Sequence, residues 1–168
     1  MQASKHILQK NHSTKQIAIF ASGAGSNAKK IIEHFKGNDS IVVKLIVCNK
    51  PGAGVIQIAA DNNIDVLILE RERFFKGDGY VEELHKWSID FIVLAGFLWK
   101  IPETIIENFR NRIINIHPAL LPKYGGKGMY GSKVHEAVIA SGETESGITI
   151  HYVDEHYDNG DIIFQAKC

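Results

Sequence analysis

Cysteine is almost missing from this chain: Cys48 and Cys168 are the only two in 168 residues. Two cysteines so placed make neither a disulfide framework nor a Cys-x-x-Cys metal knuckle. Cys48 closes an apolar run and reads as a small buried filler, and Cys168 is the last residue. An excess of charge of one sign is missing too, since Lys plus Arg and Asp plus Glu number 19 each. A balanced chain argues against a general nucleic-acid or membrane-surface binder, while leaving room for a local basic pocket around one phosphate. No apolar run approaches the roughly 18 residues that span a bilayer. Residues 1–15 are polar and hold no signal-peptide core. These absences favour a cytoplasmic enzyme or binding protein without a metal.

What is present is a chain long enough for one domain with a real core. Its 45% hydrophobic and 23% charged residues are ordinary for a soluble globular protein. We read residues 1–15 as a flexible tail, with His6 and His12 exposed, and residues 16–168 as a single domain without repeat or linker. Short apolar runs at 16–21, 41–48, 64–69 and 90–95 read as strands, the first of them central. Helical patterns at 28–35, 55–62, 80–87 and 104–109 separate or follow them. Residues 70–79, charged and holding two glycines, read as a surface loop. Strand–helix alternation of this kind predicts an α/β, three-layer, Rossmann-like domain: a mostly parallel central sheet with helices on both faces.

The most informative stretch runs from Ile113 to Pro122. Ile113, Ile114 and Ile116 are β-branched and predict a buried strand. Asn115 and His117, two apart, fall on one face of it. Pro118, lacking a ladder donor, stops it. An amide and an imidazole therefore stand together where a strand meets a loop, the place where open α/β sheets bind ligands. Taken singly, either residue is as readily a turn former or a satisfied half-buried side chain.

Ser22 to Asn27 forms a glycine-rich turn between the first strand and the first helix, an arrangement that cradles phosphate. Gly23-x-Gly25-x-x-Ala28 also fits the dinucleotide fingerprint loosely. That fingerprint wants an acidic residue about 20 positions on, where this chain has Asn49-Lys50, so nicotinamide binding is disfavoured. A tight turn that binds nothing is the plain alternative. Gly96 to Pro102 leaves a strand end as an aromatic and aliphatic loop, suited to a flat ring or simply tucked onto the core. Residues 122–131 read as a flexible glycine-rich flap. Ser132 reads as the N-cap of a helix over 133–141, with Glu136 near the capping-box position and His135 solvated. After an alternating strand at 149–153, residues 154–161 form a tight polar loop closed by Asn159-Gly160. Its spacing matches no EF-hand. Residues 162–166 form a last strand, antiparallel to its neighbour.

Asn115-Ile116-His117-Pro118-x-Leu120-Leu121-Pro122 resembles the signature of folate-dependent formyltransferases, and the resemblance covers residues 16–168. It implies transfer of a formyl group from 10-formyl-tetrahydrofolate to a small phosphorylated amine, glycinamide ribonucleotide, in purine biosynthesis, with no metal, nucleic acid or membrane. Asn115, His117 and Asp158, the last matching an Asp followed by two small residues in the family, would be catalytic. Asp158 would act directly or through a water. Gly25, Ser26 and Asn27 would hold the substrate phosphate. Leu98, Trp99, Lys100 and Ile101 would line the folate pocket with Asn115, Asp154, Glu155, His156, Tyr157 and Asp158. The family often has Met-Arg where this chain has Leu98-Trp99-Lys100, so backbone contacts carry over and an arginine side-chain contact does not. The flap is longer than the family's Pro-Lys-Tyr-x-Gly, and the resemblance implies a further C-terminal segment that this sequence lacks. The expected state is a monomer or weak homodimer. A transfer-RNA formyltransferase or a formyl-tetrahydrofolate hydrolase shares the signature but brings an additional domain. A non-catalytic nucleotide- or folate-binding module would keep the glycine turn without His117 or Asp158.

Overall fold

The computed structural model describes residues 13–167, so the expectations for the tail up to residue 12, His6 and His12 included, and for Cys168 lie outside the described residues. Seven strands form one sheet. They are β1 (Lys15–Ala21), β2 (Ile41–Cys48), β3 (Asp65–Ile68), β4 (Phe91–Leu94), β5 (Ile113–His117), β6 (Gly147–Tyr152) and β7 (Ile162–Lys167). Their order is β3-β2-β1-β4-β5-β6-β7. Every pairing from β3 through β5 is parallel, and β5–β6 and β6–β7 are antiparallel. β1 lies between β2 and the middle strand, as its buried apolar run from Ile17 to Ala21 requires.

Strand alternation sorts the core into two layers. Ala18 and Phe20, with Leu45, Val47, Ile92 and Leu94, face one way and pack against α3 (Arg71–Lys76), α4 (Val81–Lys86) and α5 (Glu103–Asn108). Ile19 and Ala21, with Ile46, Cys48 and Val93, face the other way, onto α1 (Ser26–Phe35) and α2 (Gly54–Asp61). The three-layer expectation holds, and buried Cys48 is the filler it was read to be.

Three local expectations fail. Residues 70–79 are not simply a surface loop: α3 occupies six of them. Phe74 drives this, being wholly buried with its ring 5.9 Å from Phe97 and 5.5 Å from Trp99. Burying such a side chain is worth about 1.5–3 kcal/mol, enough to organise one charged turn. Ser132 is not an N-cap either. It is the first residue of α6 (Ser132–Ala140), the cap position is Gly131, and no side chain caps that end. Lys15, assigned to the tail, opens β1 and pairs with Asp90 at 3.0 Å.

Candidate active site

β5 carries the polar pair of the signature on the side opposite Ile114 and Ile116, which pack with the α1–α2 layer. The antiparallel register then sets Asn115 directly across from His151 of β6. Asn115 Nδ2 lies 3.1 Å from His151 Nε2 and 3.3 Å from Asp158 Oδ1. His117 Nδ1 and His151 Nε2 lie 3.6 Å and 3.5 Å from the same carboxylate oxygen. Asp158 reaches this point from the β6–β7 loop with φ of 50°, a left-handed conformation that aspartate tolerates better than most residues. Gly160 allows the loop to turn there, because a Cβ on it would sit 1.9 Å from the Tyr152 carbonyl oxygen.

Hydrogen bonding decides which ring nitrogens carry protons. His117 Nε2 lies 2.8 Å from the Tyr124 carbonyl and His151 Nδ1 lies 2.7 Å from the Tyr152 carbonyl. A carbonyl only accepts, so those nitrogens are the N–H donors. Each ring thus turns its other nitrogen towards Asp158 Oδ1 and can donate to it only when protonated. In the neutral state Asn115 gives one amide hydrogen to His151 and the other to the carboxylate. The second carboxylate oxygen accepts from the Gly126 N–H at 2.9 Å. Burial presses the Asp158 carboxyl upward. The hydrogen bond with His151, the Gly126 N–H and the positive charge that His117 and His151 can carry outweigh it, and hold the group below the ordinary aspartate range.

These groups form the floor of a cleft of about 790 Å³. Ser26 and Asn27 line it as well, in the first turn of α1, where backbone N–H groups have no intrahelical partner. Gly25 precedes them as the cap residue, with φ of 81° and a would-be Cβ 2.8 Å from that of Val55. The glycine turn is tied to the β4–α5 loop: Ser22 Oγ accepts the Leu98 N–H at 2.9 Å. Phe97, Leu98, Trp99, Lys100 and Ile101 make an apolar wall with one cation, and Lys100 Nζ stands 5.7 Å over the Tyr157 ring.

The structure therefore brings Ser26, Asn27, Leu98, Trp99, Lys100, Ile101, Asn115, His117, Asp154, His156, Tyr157 and Asp158 to one cleft, while Gly25 and Glu155 do not line it. The flap at 122–131 flanks it through Gly126, Gly128, Met129 and Tyr130, and exposed His135 lies on its wall. Sequence reasoning missed His151. Its signal was present: with Thr149 it is a polar residue on the inward face of an alternating strand, and both are buried. It also missed the main-chain groups of Tyr124 and Gly126, for which no side-chain signal exists. Among the described residues, no cluster of three or more His, Cys, Asp or Glu side chains could hold a metal ion. No helix among them is long and apolar enough to cross a membrane.

Comparison with known proteins adds the lineage. A family model described as formyl transferase matches residues 15–168. Phosphoribosylglycinamide formyltransferase, chloroplastic, of Arabidopsis thaliana is 46% identical over 158 residues, covering 90% of this chain and 54% of that protein. Phosphoribosylglycinamide formyltransferase of Bacillus subtilis is 36% identical over 156 residues, covering 90% of this chain and 77% of that protein. The crystal structure of phosphoribosylglycinamide formyltransferase from Bacillus halodurans superposes with a TM-score of 0.81 at 37% identity, over 92% of this chain and 79% of that one. The chain spans about half the length of the plant relatives it matches.

Proposed function

The chain belongs to the formyl transferase family, and from that premise we propose that it moves a formyl group from 10-formyl-tetrahydrofolate to the primary amine of glycinamide ribonucleotide, a step of purine biosynthesis. The names of the plant and Bacillus relatives support the choice of acceptor. The observation that carries the reading is the meeting of Asn115, His117 and Asp158 on the floor of a cleft that the glycine turn also lines.

In this reading the amine nitrogen bonds to the formyl carbon and the carbon–nitrogen bond to the donor breaks. The amine loses one proton and the departing donor nitrogen gains one. Between those events the formyl oxygen carries negative charge and needs donors. The Asn115 amide donates to it without a change of protonation, by turning to it one of the two hydrogens that His151 and Asp158 hold at rest. His117 Nδ1 takes the proton leaving the amine, directly or through a water that Asp158 holds, donates to the formyl oxygen as an imidazolium that Asp158 steadies, and gives the proton to the departing nitrogen. Acid–base assistance of this kind is worth roughly 10²–10⁴-fold.

The residues present fit both substrates. A cleft of about 790 Å³ falls within the roughly 300–1,000 Å³ of small-molecule sites, and Phe97, Leu98, Trp99 and Ile101 offer a face for a flat ring. The first turn of α1, with Ser26 and Asn27, suits a phosphate. The proposal takes the protein as cytoplasmic, acting as a monomer or weak homodimer, with neither nucleic acid nor membrane as partner.

The test follows the absorbance of a 10-formyl-folate analogue with and without glycinamide ribonucleotide. Deformylation that needs the acceptor is the expected result. Deformylation without acceptor points to hydrolysis instead, and none under either condition overturns the reading.

A further inference from the structure

We propose that Tyr124 is a positioning residue: its carbonyl fixes the His117 ring in one tautomer, and its phenol anchors that carbonyl to the end of α6. The inference rests on the reading of His117 as the group that handles the reaction's proton.

The turn that follows the signature braces the site from behind at two points. The Tyr124 carbonyl accepts from His117 Nε2 at 2.8 Å, and the Gly126 N–H donates to Asp158 Oδ2 at 2.9 Å. Between them Gly125 leaves no slack, since a Cβ there would stand 2.6 Å from Leu121 Cδ2 and 3.3 Å from Asp158 Cβ. Tyr124 itself has φ of 57°. Residues with side chains hold that conformation only where surrounding contacts impose it.

The imposing contacts are polar. The Tyr124 hydroxyl bonds to the Ser141 hydroxyl and lies 3.3 Å from Glu143 Oε1. Ser141 Oγ spends its own hydrogen on the α6 carbonyls of Ala137 and Val138, each 2.9 Å away, so its oxygen is left to accept the phenol hydrogen. Glu143 is held in turn by Lys123 at 2.7 Å. The phenol therefore links a helix end to the one carbonyl that fixes His117.

This linkage matters because of what His117 does without it. Nδ1 faces Asp158 Oδ1 at 3.6 Å. A neutral imidazole freed from the Tyr124 carbonyl lowers its energy by moving its proton to Nδ1 and donating to that carboxylate. The nitrogen facing the reaction is then already protonated and cannot take the reaction's proton. The Tyr124 carbonyl prevents this by keeping the hydrogen on Nε2.

A main-chain carbonyl cannot be deleted by substitution, so the test removes its anchor from either side, with Tyr124→Phe and Ser141→Ala. The second change lies on an exposed helix end and keeps the tyrosine, and thermal melting checks that both variants fold. The first readout is the ring-nitrogen NMR pattern of His117 in the ligand-free protein with 15N-labelled histidine. The unaltered chain should show a single Nε2–H form, and both variants an average of the two tautomers. The second readout is kinetic: kcat falls roughly tenfold or more with both KM values unchanged, the signature of misplacement rather than lost binding. A His117 pattern identical in all three proteins overturns the proposal. Formyl transfer absent even from the unaltered chain overturns the functional reading instead, and the NMR comparison still decides the role of Tyr124.

Discussion

Asn115 Nδ2 and Asp158 Oδ1 are 3.3 Å apart across 43 residues of chain. The amide comes from a strand inside the sheet and the carboxylate from a loop at its rim, so the pair exists only once β5 and β6 have paired.

Removing His117 or the charge of Asp158 should abolish most turnover and leave binding alone. His117→Ala and Asp158→Asn are each expected to lower kcat by about 10²-fold or more, with the dissociation constants of donor and acceptor unchanged by calorimetry. Wild-type turnover in either variant would remove that residue from the mechanism.

Ser26 and Asn27 should matter to one substrate only. Ser26→Ala or Asn27→Ala is expected to raise KM for the phosphorylated amine by roughly tenfold, about the 1.5 kcal/mol of a hydrogen bond to a charged group. The KM of the formyl donor should stay put. Equal rises for both substrates would mean that the turn shapes the cleft and does not hold a phosphate.

His151 should contribute to stability as well as to catalysis. In His151→Ala the Tyr152 carbonyl and one Asn115 amide hydrogen lose their partners. About 1–3 kcal/mol per stranded group is expected, measured by urea denaturation, with turnover lowered as well because Asn115 is no longer held.

Stability should fall with acid in a way traceable to two carboxylates. Asp90 is held below the usual range by the Gln16 N–H, a bond that outweighs its partial burial, with help from Lys15. Asp158 is held down by the site described above, against its burial. A carboxyl whose folded pKa lies below its unfolded value of about 3.9 adds stability above that value. That contribution disappears as the pH falls through the folded pKa. Denaturation midpoints should therefore hold steady from neutral pH to about 5 and drop below about 4, with a shallower drop in Asp158→Asn and Asp90→Asn. An undiminished drop in both variants would assign acid sensitivity elsewhere.

Two glycine substitutions should behave oppositely. Gly160→Ala drives a Cβ into the Tyr152 carbonyl and should cost about 1–3 kcal/mol, together with turnover, because Asp158 sits two residues away. Gly23→Ala meets nothing within 4 Å, and its melting temperature should match that of the parent.

How legible this protein is from its sequence depends on how local each feature is. The strand over Ile113 to Ile116 and the glycine turn before α1 could be read because hydrophobic spacing and backbone freedom are properties of adjacent residues. So could the placement of Asn115 and His117 on one face. Helix α3 could not, since six charged and aromatic residues hold together only through Phe74 meeting Phe97 and Trp99 from another loop. Ser132 misled for the converse reason: it has the right side chain for a cap, but Gly131 takes that position and the helix begins one residue earlier than expected.

By itself the amino-acid sequence determined the seven strands, the helices other than α3, the turn that opens α1 and the loop that ends β5. Each of these follows from short-range preferences that need no distant partner. Folding decided which groups meet. The β5–β6 register set His151 opposite Asn115, the left-handed Asp158 brought a third group to the same point, and the Tyr124 carbonyl chose which ring nitrogen is bare. Register, loop reach and main-chain acceptors depend on elements far apart in the chain, so no stretch of residues encodes them alone.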